Sequence, residues 1–324
     1  MCTAISYKTK DHYFGRNLDL EYSYDEKVTI MPRNFPLKFR HVKAPKKFYA
    51  MIGMATVVDN YPLFYEATNE AGLSMAGLNF PGNADYKPFT EGKDNVSPFE
   101  FIPWILGQCR TVKEAKKLLC RLNLLAENFS ETLPLTPLHW MISDREESVV
   151  VESIRGGIET YVNQTGILTN NPPFDYQMFN LNNYLNLSTE EPVNSFSKKL
   201  DLKTYSRGMG ALGLPGDLSS ASRFVKAVFT KMNSLAGESE TESISQFFHI
   251  LGSVEQQRGL VHMGEGKYEI TLYSSCCNTD HGIYYYRTYE NSQISSVNMK
   301  KENLDGEELK VFPLVLEQQI KKIN

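Results

Sequence analysis

The chain has 324 residues, 41% hydrophobic and 22% charged, with eighteen Tyr and eighteen Phe. That composition excludes a disordered chain and is enough for a large buried core. A net charge of −4 with no Lys/Arg block argues against a nucleic-acid partner.

The first residues carry the strongest chemical signal. Removing Met1 would leave Cys2 with a thiol and a free α-amine on one residue. A thiol titrates near ~8.5 and an α-amine near ~7.7 to 8.0, so the amine can take the thiol proton, directly or through one water. Nucleophile and base then share a residue, as in enzymes whose chain end replaces the histidine of a triad. Thr3–Tyr7 and Tyr13–Asp19 read as two strands around the turn Lys8-Thr9-Lys10-Asp11. The hairpin can bring Arg16 and Asp19 near Cys2, the guanidinium favouring thiolate and the carboxylate orienting the amine.

Tyr49–Val58 and Leu63–Thr68 read as strands split by Asp59-Asn60-Tyr61-Pro62, and Leu73–Asn79 as a third. Asn79 and, further on, Asn170 are amides at strand ends, suited to donate to an oxyanion. Ser97-Pro98-Phe99-Glu100 is a capping box that opens a helix over Phe99–Leu106. Thr111 opens a second, with Val112, Ala115, Leu118, Leu119 and Leu122 on one face. Strands are expected over Leu138–Ser143, Ser148–Ile154 and Ile158–Val162, and a short one before Asn170-Asn171-Pro172. Ser206–Ser222 reads as loop, followed by helices over Ser222–Met232 and Glu242–Val254. Arg223 falls in the first turn of the former, where a cation opposes the helix dipole and calls for a specific partner. Tyr268–Cys276, Gly282–Tyr289 and Gln293–Val297 return to strands.

No repeat or linker divides the chain, so residues 1–324 are expected to form one α+β domain. The five cysteines (Cys2, Cys109, Cys120, Cys276, Cys277) show no disulfide framework, and the six histidines no zinc spacing. No apolar run suits a signal peptide or a membrane span. The expectation is a soluble cytoplasmic protein without membrane anchor, metal or cofactor.

Met1-Cys2-Thr3, Phe14-Gly15-Arg16-Asn17-Leu18-Asp19, Gly77-Leu78-Asn79-Phe80, Leu168-Thr169-Asn170-Asn171-Pro172, Gly213-Leu214-Pro215-Gly216-Asp217 and Ser222-Arg223-Phe224 occur in that order. On these motifs the chain resembles the choloylglycine hydrolases, and within them the bile salt hydrolases of intestinal lactic acid bacteria. The resemblance implies an N-terminal nucleophile fold, an αββα sandwich of two antiparallel sheets flanked by helices. It implies hydrolysis of glycine- and taurine-conjugated bile salts by Cys2, with Arg16 supporting the thiolate and Asp19 holding the amine. Asn170 and the region of Asn79 would form the oxyanion hole, and Arg223 would complete the charged network. Pocket candidates are Leu20, Tyr22 and Tyr24; Tyr61, Phe64 and Tyr65; and Phe129, Leu133 and Leu135. Relatives suggest a homotetramer. Two alternatives stay open: a penicillin V acylase, against which Asn79 speaks because those enzymes commonly carry tyrosine there, and a non-catalytic binder of amphipathic ligands.

Overall fold

The computed structural model describes residues 1–324. The chain opens with β1 (Cys2–Lys8), β2 (His12–Leu20), β3 (Lys27–Met31), β4 (Met51–Val58), β5 (Tyr61–Asn69) and β6 (Ser74–Asn79). A short β7 (Asp94–Val96) precedes α1 (Phe101–Leu106) and α2 (Val112–Leu119). Next come β8 (Leu122–Leu124), β9 (Leu138–Ser143), β10 (Ser148–Ile154), β11 (Gly157–Val162) and β12 (Ile167–Leu168). Helices α3 (Phe174–Asn180), α4 (Ser220–Asn233) and α5 (Glu240–Gly252) follow. The chain closes with β13 (His262–Gly264), β14 (Lys267–Tyr268), β15 (Ile270–Asn278), β16 (Ile283–Thr288), β17 (Ser295–Asn298) and β18 (Lys310–Phe312).

Two antiparallel sheets dominate: six strands in the order β12-β1-β2-β15-β16-β17, and eight in the order β11-β10-β9-β6-β5-β4-β3-β18. Strand alternation divides the side chains between layers. In the eight-stranded sheet Ile52, Met54, Ala76, Leu78, Met141 and Val150 join a core shared with Cys2, Ala4 and Leu18. Their neighbours Met51, Met75, Trp140, Ile142, Val149 and Val151 pack with Phe101, Ile105 and Val112 of α1 and α2. Helices α4 and α5 cover the far face of the six-stranded sheet through Phe224, Phe247 and Leu251. The layers are therefore helix, sheet, sheet, helix, an α+β sandwich as expected.

Several elements differ from the sequence reading, the short strands β7 and β13 among them. Leu122 is not on α2: that helix ends at Leu119, and Leu122-Asn123-Leu124 pairs in parallel with β7, a spacing that fits a strand as well as a helix. Strands β3 and β18, which pair with each other, and the short helix α3 were not anticipated.

Candidate active site

The register of the first hairpin determines who meets whom. Cys2 pairs with Leu18, Thr3 with Asn17 and Ala4 with Arg16. Because side chains alternate, Cys2, Ala4, Arg16 and Leu18 face the second sheet, while Thr3, Asn17 and Asp19 face the helices. The contacts agree. Asn17 Nδ2 donates to the Leu251 carbonyl of α5 at 3.0 Å, and Thr3 Oγ1 accepts from Arg223 of α4 at 2.6 Å.

Arg16 crosses the space between the sheets. Its Nη1 donates to the carbonyls of Gly77 at 2.6 Å and Tyr65 at 3.1 Å. Both carbonyls are available because β5 and β6 part there. Their pairing stops at Glu66 with Ala76, and Tyr65 is the extra residue of a bulge against β4, where Met54 pairs with Glu66 and Ala55 with Phe64. The guanidinium thus lies in a fork between two strands. Burial works to lower its pKa, and the charges of Cys2, Tyr273, Glu66 and Asp19 outweigh that and raise it. Arg16 is a cation at any ordinary pH. Its Nη2 is buried with no hydrogen-bond partner, leaving one donor edge uncommitted.

The other charged residues surround the Cys2 backbone. Cys2 N–H donates to Asn170 Oδ1 at 2.7 Å, and the Cys2 carbonyl accepts from Arg223 Nη1 at 2.7 Å. Arg223 Nη2 donates to the same Asn170 oxygen at 2.8 Å, and Nε to the Leu218 carbonyl at 3.1 Å. Helix α4 starts at Ser220, two residues before its expected start, with Ser219 as its N-cap. Arg223 lies at the end of its first turn, and the sequence argument that this cation needed a partner is answered by four acceptors and by Asp19 Oδ2 at 3.8 Å.

Asp19 is wholly buried; its Oδ1 accepts from Thr271 Oγ1 at 2.6 Å and its Oδ2 has no hydrogen-bond partner. Burial raises its pKa, opposed by Arg223, the N-terminal ammonium, the Thr271 hydroxyl and Arg16. The ammonium here is that of Met1, which donates to the Asp19 carbonyl at 2.7 Å and meets the Glu269 carboxylate. It is held below the usual α-amine range, chiefly by burial. With Met1 attached, the nitrogen of Cys2 is an amide and cannot serve as a base.

Asn170 Nδ2 donates to the main-chain carbonyl of Asn79 at 2.7 Å, so the two strand ends meet across the sheets. Three residues that the sequence reading passed over fix Asn170. Ser220 Oγ accepts its N–H at 2.8 Å, Gln177 Nε2 donates to its carbonyl at 2.7 Å, and His139 Nε2 lies 2.8 Å from the preceding Thr169 carbonyl. His139 is itself held by Glu152 at 2.9 Å and stacked on Phe80. Ser220 falls in an expected loop, His139 in an expected strand and Gln177 in a stretch with no expected element, and only the fold brings them to Asn170.

The pocket candidates divide into groups. Leu20 and Tyr65 pack against the core that contains Cys2. Tyr22 and Tyr24 are exposed, with their hydroxyls 2.7 Å apart, and Thr56 links the Tyr24 carbonyl to the Tyr65 hydroxyl. Phe64 is buried in the core on the helix α1 side, and Tyr61 packs against that core. Tyr61 also meets Phe129 with ring centroids 5.5 Å apart, and Leu133 and Leu135 are half-buried on the same loop as Phe129. No three His, Cys, Asp or Glu side chains gather as a metal site, and no helix is long and apolar enough to cross a membrane.

Comparison with known proteins places this geometry. Residues 2–312 match the model of the linear amide C–N hydrolases, choloylglycine hydrolase family. A bile salt hydrolase/transferase of Lactiplantibacillus plantarum is 59% identical over the full length of both chains. One of Clostridium perfringens is 40% identical over 96% of each. The crystal structure of the C2A mutant of the conjugated bile acid hydrolase from Clostridium perfringens superposes with a TM-score of 0.91 over all of both chains, at 40% identity. A penicillin V acylase from Agrobacterium tumefaciens shares the fold at 20% identity, with a TM-score of 0.72 over 96% of this chain and 91% of its own. Its layered sheets, its cysteine at the start of β1 and its relatives agree: the chain belongs to the choloylglycine hydrolase family of linear amide C–N hydrolases.

Proposed function

We propose that the protein cleaves the amide bond of glycine- or taurine-conjugated bile salts, with Cys2 as nucleophile once Met1 has been removed. The observation that carries this reading is the set of groups around Cys2: Asn170 and Arg223 on its backbone, with Arg16 and Asp19 beside them. Relatives at 59% and 40% identity bear the name bile salt hydrolase/transferase.

In this mechanism the freed α-amine of Cys2 takes the thiol proton, and Asp19 Oδ2, which has no hydrogen-bond partner here, is the acceptor that holds the resulting ammonium. The sulfur attacks the amide carbonyl and a tetrahedral oxyanion forms. Donors for it are the Asn79 amide and the second N–H of Asn170 Nδ2, whose first goes to the Asn79 carbonyl. The ammonium then protonates the departing amine, leaving a thioester. Water cleaves the thioester by the same proton relay in reverse. An amine entering in place of water would complete an acyl transfer, in keeping with the second half of the relatives' name. Leu20, Tyr22, Tyr24, Tyr61, Tyr65, Phe129, Leu133 and Leu135 are the side chains we assign to steroid contacts, while Phe64, turned into the helix α1 side core, backs that wall.

Residues 1–324 act as one unit in this reading, in the cytoplasm. A homotetramer is the proposed assembly, and the exposed apolar side chains Tyr176, Phe179, Leu185, Val193, Phe196 and Tyr205 of one segment are surface that another copy can cover.

Intact mass before and after thiol alkylation, with turnover of glycocholate, taurocholate and penicillin V, tests the assignment. Loss of Met1 together with amine release from the bile salts supports it. Preference for penicillin V makes the protein an acylase of that type, and an inert Cys2 behind a retained Met1 makes it a binder.

A further inference from the structure

Beneath the fork that holds Arg16 lies a carboxylate that the proposed chemistry does not use. Glu66 of β5 is fully buried. Its Oε1 accepts from Ser275 Oγ at 3.0 Å and from the Tyr284 hydroxyl, and its Oε2 accepts from the Tyr273 hydroxyl at 2.8 Å. Oε2 also faces Arg16 Nη1 at 3.9 Å. Ser275 Oγ receives the Arg16 backbone N–H at 3.2 Å, which commits its own hydrogen to Glu66. Three hydroxyls and a guanidinium converging on two oxygens describe a built anion site, not a chance burial.

The arrangement also leaves Arg16 asymmetric. Its Nη1 edge is occupied by Tyr65, Gly77 and Glu66, whereas Nη2 has no partner. Arg16 and Cys2 lie on the same face of the first hairpin, Arg16 opposite Ala4 and Cys2 opposite Leu18, so this unpartnered edge belongs to the side chain that shares a face with the sulfur. Burial raises the pKa of Glu66, and Arg16, Tyr284, Tyr273 and Ser275 work to keep it ionised. Cys277 is the other titratable side chain near Glu66, and Arg223 and the chain-terminal amine are the charged groups near Cys2 besides Arg16, with Asp19 on the opposite face of the hairpin beside Arg223 and the amine.

We propose that Glu66 is a positioning residue of the reaction: it fixes the Nη1 edge of Arg16 and offsets part of its charge, and so sets the charge that the guanidinium presents to the Cys2 sulfur. The inference rests on the reading of Cys2 as the nucleophile. It assigns a purpose to Tyr273 and Tyr284, which hold the carboxylate from β15 and β16.

The test is the pH dependence of Cys2 alkylation by iodoacetamide, read from the mass of the N-terminal peptide, in the wild type, Glu66→Gln and Glu66→Asp. Deleting the anion leaves more of the Arg16 charge for the sulfur, so the thiolate limb of Glu66→Gln moves about one unit to lower pH. The weaker nucleophile then lowers plateau kcat about threefold. Glu66→Asp, which keeps the charge, returns the limb to its wild-type position. Tyr284→Phe removes one donor while keeping the ring; it shifts the limb in the same direction by less, and serves if Glu66→Gln does not accumulate. A limb that stays in place, or moves to higher pH as for a loosened free thiol, overturns the proposal. Should Cys2 not be the nucleophile, alkylating it would leave wild-type turnover intact, a result independent of any Glu66 variant.

Discussion

Replacing Arg223 by methionine removes the charge while keeping an unbranched apolar stem, and its cost can be worked from the contacts. The guanidinium is 1% exposed and supplies Cys2, Thr3, Asn170 and Leu218, with Asp19 at 3.8 Å. Removing one member of a buried ion pair typically costs about 3–5 kcal/mol, because the remaining charge loses its compensation. With an unfolding entropy of about 2.1 cal/mol/K per residue, that corresponds to a Tm lowered by roughly 4–7 °C. The pH dependence is the sharper test. Asp19 already has its pKa raised by burial, and Arg223 is the foremost group holding it down, so the variant raises it further. A carboxyl whose folded pKa lies above its unfolded value binds its proton more tightly when folded. Its contribution is most favourable in acid and is lost as pH climbs from the unfolded pKa to the folded one. The deficit of Arg223→Met should therefore be larger at pH 7.5 than at pH 4.5. Paired calorimetric melts at both pH values measure it. A deficit under about 1 kcal/mol, or one that grows on acidification, would refute the reasoning.

Cys2→Ala should abolish amide hydrolysis while lowering Tm by no more than about 2 °C, since one sulfur atom leaves a small cavity; turnover persisting in that variant removes the mechanism. Asn79→Ala should reduce kcat by ~10²–10³ with Tm unchanged if its amide serves the oxyanion, as steady-state kinetics on taurocholate would reveal. His12 is buried and its pKa is lowered to about 4 from 6.5, so the protein should lose stability as pH falls from 6.5 to 4. His12→Gln should flatten that acid limb by up to ~3 kcal/mol in urea titrations at pH 7 and pH 4.5, and an identical limb in both proteins would contradict it.

The hairpin that carries Cys2, Arg16 and Asp19 was readable because a polar turn separates two runs of β-forming residues, and alternation then fixes which face each side chain takes. Arg223 stood out for a different reason: a cation in a helix's first turn is costly without a partner. Less was legible where pairing is long-range. Glu66 is the one charged residue in the apolar run Leu63–Thr68, and only β15 and β16, more than two hundred residues later, supply the hydroxyls that make it a buried anion. Strand β18 has three residues and gains its order from β3, so neither carried a periodicity of its own. Helix α3 follows two prolines and buries only Phe174 and Gln177, too few positions for a helical pattern to register.

The parting of β5 from β6 has a mechanical corollary. Because one guanidinium bridges carbonyls of two diverging strands, the sandwich halves cannot slide past each other without first withdrawing that wedge. Exchange of the amides lining the gap should thus register any loosening of the reaction centre. The exposed Tyr22 and Tyr24 and the 125–137 loop lie outside the wedge, so exchanging them between homologues tests the steroid contacts proposed for them while the clamp stays in place.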